Sequence, residues 1–158
     1  LLDFGVLIQP ACIAKYHSIN MPVKDIWGVV MRKDSPLARL ETITRKELLD
    51  APLLFPRQIV RQPQRENIFA GWFGQDYGKL NVVSTYNLFY NAALMVESGV
   101  GYAITLDNLA NTSETSELCF RPLNPRLESG LNIVWKKQQV LSGAAELFLE
   151  KLQSFDRV

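Results

Sequence analysis

Few residues in this chain are equipped for covalent or metal chemistry: one histidine, His17, and two cysteines, Cys12 and Cys119. His17 stands beside Ser18, and a serine nucleophile needs a base within hydrogen-bonding reach. Neighbours in an extended segment point to opposite faces, so the pair is no dyad, and His17 reads as an exposed loop histidine. The same cysteines and histidine do not cluster at the short spacings that hold zinc. Two cysteines so far apart read as free thiols, since a small secreted domain would need a denser set to form a disulfide framework. Gly99-Val100-Gly101 leaves a helical pattern and enters a strand, the reverse of the strand-to-helix turn that cradles phosphate, so Gly99 is a helix stop. No catalytic residue, metal or cofactor is expected, and the chain does not read as an enzyme.

The chemistry left is noncovalent recognition, and the elements decide where it sits. Phe4 to Ile8 is a short apolar run suited to a strand buried on both faces. Ile19, Met21 and Val23 alternate with polar residues, and Pro22 puts that segment at an edge or crossover leading to the strand Trp27 to Met31. Asp34-Ser35-Pro36 makes a turn. Thr44 with Glu47 matches a capping box before a short helix. The strand Pro52 to Phe55 precedes a helix with Ile68, Phe69, Trp72 and Phe73 on one stripe, stopped by Gly74; core packing is the expected role of Trp72, Phe73 and Trp135. Leu80 to Val83 is a third strand, the stripe Leu88, Ala92 and Met95 a third helix ended by Gly99, and Tyr102 to Leu106 a fourth strand. From Trp27 to Leu106 the alternation predicts a mainly parallel sheet covered by helices, with Phe4 to Ile8 outside it. Leu118 to Leu123, Leu131 to Trp135 and a helix carrying Ala145, Phe148, Leu149 and Leu152 are predicted to rejoin the opening strand. The lobes are then 1–22 with 108–158, and 23–107, with crossings near Ser18 to Asp25 and Leu106 to Leu118.

In open α/β sheets, ligands bind in the crevice beyond the carboxyl ends of the strands. Those ends are Gln9-Pro10, Arg57-Gln58, Thr85-Tyr86-Asn87 and Asp107. Thr85 to Asn87 precedes a helix, whose free N–H groups and dipole attract an anion, and Tyr86 offers stacking and a hydroxyl. The plainer alternative is that Thr85 or Asn87 only caps the helix. Arg57 has the planar fork that suits a carboxylate, or is simply solvated.

With 158 residues, 47% hydrophobic and 21% charged, the chain has the balance of a globular protein. Seventeen basic residues are scattered against sixteen acidic ones, without the patch that phosphate-backbone binding requires. No apolar run approaches the ~20 residues that span a bilayer. A cytoplasmic location with no membrane partner is expected.

The segments LDFGVLI (2–8), WGVVMRKDSPLA (27–38), ETITRKELLDAPLLFPRQ (41–58) and STYNLFYNAALMVESGVGYAITL (84–106) occur in the order and spacing of the effector-binding domain of LysR-type transcriptional regulators, which the chain resembles over nearly its whole length. The resemblance implies two Rossmann-like lobes joined by two crossover segments, as in type II periplasmic binding proteins, with a small-molecule effector bound in the cleft between them. It also implies a homodimer or higher homo-oligomer, and DNA contacts made only by an N-terminal winged helix-turn-helix. That module and the first strand-helix-strand unit of the effector domain are not found here, so the first lobe is expected to be incomplete. The opening strand Leu2 to Ile8 would then have an unmet edge that association covers. The alternative reading is a solute-binding protein of a transport system.

Overall fold

The computed structural model describes residues 2–9, 11 and 13–155. Pro10 and Cys12, named above, lie outside the described residues. The chain divides into two compact units, Leu1–Asp25 with Ser129–Val158 (unit 1) and Ile26–Glu128 (unit 2).

Unit 1 pairs β1 (Gly5–Ile8) antiparallel with β7 (Glu128–Lys136), Ile8 lying opposite Leu131. Among the described strands β1 is terminal, with β7 its one neighbour. Phe4 packs edge-on against Trp135 and against Phe148 of α5 (Gly143–Phe155), which ties the last helix to the opening strand as its apolar stripe predicts. His17 lies within a strand rather than a loop, exposed and 5.6 Å from the Trp135 ring.

The two extended segments read separately, Ile19 to Val23 and Trp27 to Met31, are one strand of 17 residues, β2 (Tyr16–Arg32). Its last seven residues, from Ile26, enter unit 2, where they pair antiparallel with β5 (Tyr102–Leu106) on one side and β6 (Leu118–Pro122) on the other. Beyond β5 the sheet is parallel, through β3 (Leu53–Pro56) to β4 (Val82–Tyr86) at its edge. Only β5, β3 and β4 are therefore mutually parallel, fewer than the alternation suggested.

The assignment of β6 needs correction: Leu118 to Leu123 does not return to the opening strand but pairs with residues 28–32 of β2. Gly28 permits it, because a Cβ there would lie 2.2 Å from Phe120 Cζ and 2.5 Å from the Arg121 carbonyl oxygen. Residues 108–128 accordingly group with unit 2, and the second passage between units falls at the start of β7 rather than within 106–118.

One face of the unit 2 sheet, with Val30, Leu54 and Ala103, is covered by α4 (Phe89–Glu97) through Ala92 and Val96. Alternation turns Phe55 to the opposite face. There it meets Phe69 of α3 (Ile68–Phe73) edge-on at 5.0–5.3 Å together with Trp27, each ring fully buried. Trp72 and Phe73 belong to the same core, Trp72 donating its indole N–H to the Pro125 carbonyl oxygen at 2.7 Å, while Trp135 in unit 1 is half-buried. The capping box opens α1 (Arg45–Leu49), with the Glu47 carboxylate accepting from the Thr44 N–H at 2.8 Å and from its hydroxyl.

Candidate functional site

Three parallel strands of unit 2 end together. Pro56 of β3 is in register with Tyr86 of β4, so the next residues, Arg57 and Asn87, stand side by side at the carboxyl edge. Arg57 and Gln58 are exposed on a single helical turn, α2 (Arg57–Val60), which packs against β3 and β4. The Arg57 guanidinium has no ion pair or side-chain hydrogen bond with the described residues. At the end of β5, Asp107 is occupied: its N–H donates to the Ile26 carbonyl oxygen at 2.8 Å and its carboxylate accepts from the Ile26 N–H at 3.0 Å.

The third strand runs later than expected, to Tyr86 rather than Val83, because Leu80 still closes a 3-10 turn on Tyr77. Thr85 is thus half-buried within β4, Asn87 is exposed just past it, and Tyr86 belongs to the core. Its ring packs edge-on against Phe89 and its hydroxyl donates to the Ile104 carbonyl oxygen at 2.6 Å. Burial pushes that phenol far above its ordinary range, and the Thr105 side chain only partly offsets it. The idea that Tyr86 offers a ligand its ring and hydroxyl is therefore corrected: both are spent inside.

Neither Thr85 nor Asn87 caps the following helix. The N-cap of α4 is Leu88, and among the described residues no side chain accepts from the helix's first N–H groups. Those donors, with the positive end of the helix dipole behind them, lie immediately after Asn87. Arg57, Gln58, Asn87 and the start of α4 all follow the carboxyl ends of β3 and β4.

Sequence reasoning missed what sets α2 in place. Asn67, 4% exposed, caps α3 by accepting from Phe69 and Ala70 N–H groups at 2.9 and 3.2 Å. Its amide nitrogen donates to the Ile59 carbonyl oxygen and to the Tyr77 hydroxyl, both at 2.8 Å, so one side chain fastens α2 to α3. An asparagine just before an apolar helical stripe was the available signal.

In unit 1, Gln9 follows β1 with its N–H on the Gly130 carbonyl oxygen at 2.9 Å. Its amide nitrogen donates to Asn132 Oδ1 and, at 3.4 Å, to Asn20 Oδ1. Asn132 and Asn20 are thus the neighbours of Gln9 that pattern reading did not find, because strand pairing brings them together from distant parts of the chain. Among the described residues, no three His, Cys, Asp or Glu side chains gather as a metal site would require, and no helix is long and apolar enough to cross a membrane. Cys119 is buried in β6, its thiol pushed up by desolvation.

Set beside known proteins, the chain matches the family model described as LysR substrate binding domain over residues 1–156. It is 27% identical over 151 residues to the HTH-type transcriptional regulator YvbU of Bacillus subtilis (strain 168), covering 95% of this chain and 49% of that protein. The chain thus spans about half the length of the curated relatives it matches. Among solved structures, the effector binding domain of QuiR in complex with shikimate aligns with a TM-score of 0.76 at 15% identity, over 98% of this chain and 72% of that one. The Synechocystis PCC6803 CcmR regulatory domain in complex with 2-PG aligns at 0.71 and 16%, over 98% and 73%.

Proposed function

The chain belongs to the LysR substrate-binding domain family, and from that premise we propose that it senses a small anionic effector at the carboxyl edge of unit 2, and through that binding controls the DNA contacts of a transcription regulator. The observation that carries the reading is the uncapped start of α4 next to the unpaired Arg57. Free backbone donors and a guanidinium without a carboxylate form a site for negative charge. Arg57 supplies a two-pronged donor, Asn87 and Gln58 neutral hydrogen bonds that fix orientation, and the α4 N–H groups the field. Gln9, at the end of β1 in unit 1, is held in orientation by Asn132.

QuiR and CcmR domains hold shikimate and 2-PG, both consistent with such a preference. The curated relatives are HTH-type regulators, which favours regulation over solute delivery to a transporter. In this reading the domain is a cytoplasmic, non-catalytic switch. It acts with a second copy of itself and reaches DNA only through a winged helix-turn-helix; differential binding to two conformational states transmits the signal.

A panel of small carboxylates with shikimate among them, followed by calorimetry, tests the site. Arg57→Ala is expected to weaken the best ligand by roughly 10- to 100-fold, the worth of a charge-assisted hydrogen bond at ~1.5–3 kcal/mol. Asn87→Ala should cost roughly threefold to tenfold. Unchanged affinity in both variants refutes the assignment, and a panel without any binder refutes the anionic class.

A further inference from the structure

Two stretches that stand out in the sequence play no part in effector recognition as described: Asp34-Ser35-Pro36, and Val96 to Tyr102. They meet in unit 2 around a cavity of about 380 Å³. Its position separates it from the effector edge. Pro52 precedes β3 and Tyr102 begins β5, so the cavity lies at the amino ends of the same parallel strands whose carboxyl ends carry Arg57 and Asp107. Five residues of β5 at ~3.3 Å each put its ends about 13 Å apart.

The backbone holds this cavity open. At Gly101 a Cβ would fall 2.3 Å from the Pro52 carbonyl oxygen, so only glycine allows the two chains to approach so closely. Gly99, in the left-handed region at φ +77°, ends α4 with nothing within 4 Å of where a Cβ would point. Pro36, Pro52 and Val96 give the lining its apolar part.

The polar part can be counted. Arg32 donates from Nε and Nη2 to the two Asp34 carboxylate oxygens at 2.9 and 2.5 Å, and from Nη1 to the Glu97 carbonyl oxygen at 2.9 Å. A guanidinium has five N–H groups, so two of them remain. The Ser35 hydroxyl donates to the Tyr102 oxygen at 3.1 Å, which leaves the phenolic proton to be given elsewhere. Arg32 and Tyr102 thus keep unused donors, yet the Arg32–Asp34 pair carries no net charge. An uncharged acceptor satisfies them without bringing a second anion towards Asp34. The volume lies at the small end of the ~300–1,000 Å³ usual for ligand pockets, room for one ring and a polar head.

We propose that this cavity is a second small-molecule site, taking an uncharged cyclic carbonyl compound such as a lactam or lactone. The carbonyl oxygen accepts from the Tyr102 hydroxyl and a spare Arg32 N–H, and the ring lies on Pro36, Pro52 and Val96. The site is independent of the effector reading and stands if that reading fails.

The probes are 2-piperidone, an uncharged six-membered lactam, and pentanoate, an anion of similar size, each titrated into the ¹⁵N-labelled chain. 2-Piperidone is expected to move the Gly99, Gly101 and Tyr102 amide signals saturably, with a dissociation constant of the order of millimolar, and pentanoate to bind at least several-fold more weakly. Tyr102→Phe keeps the ring and removes the donor, and should weaken the lactam by roughly threefold to tenfold. Asp34→Asn leaves the Arg32 charge uncompensated and should reverse the preference towards pentanoate, which provides a second test should Tyr102→Phe not fold. The proposal is overturned by the absence of saturable shifts at those three amides. It is equally overturned by pentanoate binding the unaltered chain as well as the lactam does, or by both variants keeping the original preference and affinity.

Discussion

Replacing Asn67 with alanine removes four hydrogen bonds made by one buried side chain. The Phe69 and Ala70 N–H groups lose their cap, a change worth about 1 kcal/mol and up to ~2 where the helix start is buried. The Ile59 carbonyl oxygen loses its side-chain donor in a dry setting, at ~1–2 kcal/mol. Tyr77 is only half-buried and its hydroxyl can turn to water, so its loss adds little. The sum is about 3 kcal/mol, or roughly 6–12 °C in melting temperature for a chain of this size. Because Ile59 sits in the same turn as Arg57, the released α2 should also lose effector affinity, although Asn67 touches no ligand. Urea unfolding followed by the buried Trp27 and Trp72, with calorimetric titration of the best carboxylate, measures both. Asn67→Asp retains the cap acceptor but turns a carboxylate towards the Ile59 carbonyl, and its deficit should shrink in acid as the carboxyl becomes a donor. A loss below ~0.5 kcal/mol for Asn67→Ala, or full stability loss with ligand affinity intact, refutes the view that this side chain fastens the effector edge.

Tyr86→Phe should cost about 1 kcal/mol through the lost bond to Ile104 and leave effector affinity unchanged; a tenfold weaker ligand would instead return Tyr86 to the binding surface. The Glu47 carboxyl is held below its ordinary 4.5, first by the Thr44 hydroxyl. A depressed folded pKa stabilises above 4.5 and ceases to do so as pH falls through the folded value. The gap in urea midpoint between the unaltered chain and Glu47→Gln should therefore hold steady near neutrality and close in acid, and a gap that persists at pH ~3 contradicts the capping role. β1 stands last in the strand order with Val6 63% exposed, so light scattering at micromolar concentration should find self-association; a well-folded strict monomer would dismiss the exposed edge as its cause.

What the sequence made readable was local. Gly74 and Gly99 mark the ends of α3 and α4 because both adopt positive φ, +62° and +77°, which other residues resist. Thr44 and Glu47 announce α1 because their side chains bond to their own turn. The partner of β6 was not readable, since a five-residue apolar strand fits several edges and the deciding fact, room over Gly28 for the Phe120 ring, is tertiary. Tyr86 was misplaced by a one-element error: extending β4 to residue 86 turned the ring inward, as pleating requires. That Arg57, Gln58 and Asn87 follow strand ends was readable because strand ends can be located from pattern alone. Asn67 was not, because its worth lies in what Ile59 and Tyr77 bring to it.

The glycine that admits Phe120 has a consequence for how the chain is made. Everything unit 2 requires lies in the uninterrupted stretch 26–128, whereas unit 1 joins residues before it to residues after it. During synthesis, β5 and β6 can close on β2 while β7 and α5 are still to come. The β7 partner of the opening strand is translated more than a hundred residues after it. Since non-local pairing meets its loop-closure cost before it is rewarded, unit 2 forms first and then serves as the loop that unit 1 closes. A substitution at Gly28 therefore acts on the order of assembly, leaving β1 exposed to other chains for longer at the stage when an unpaired strand aggregates most readily.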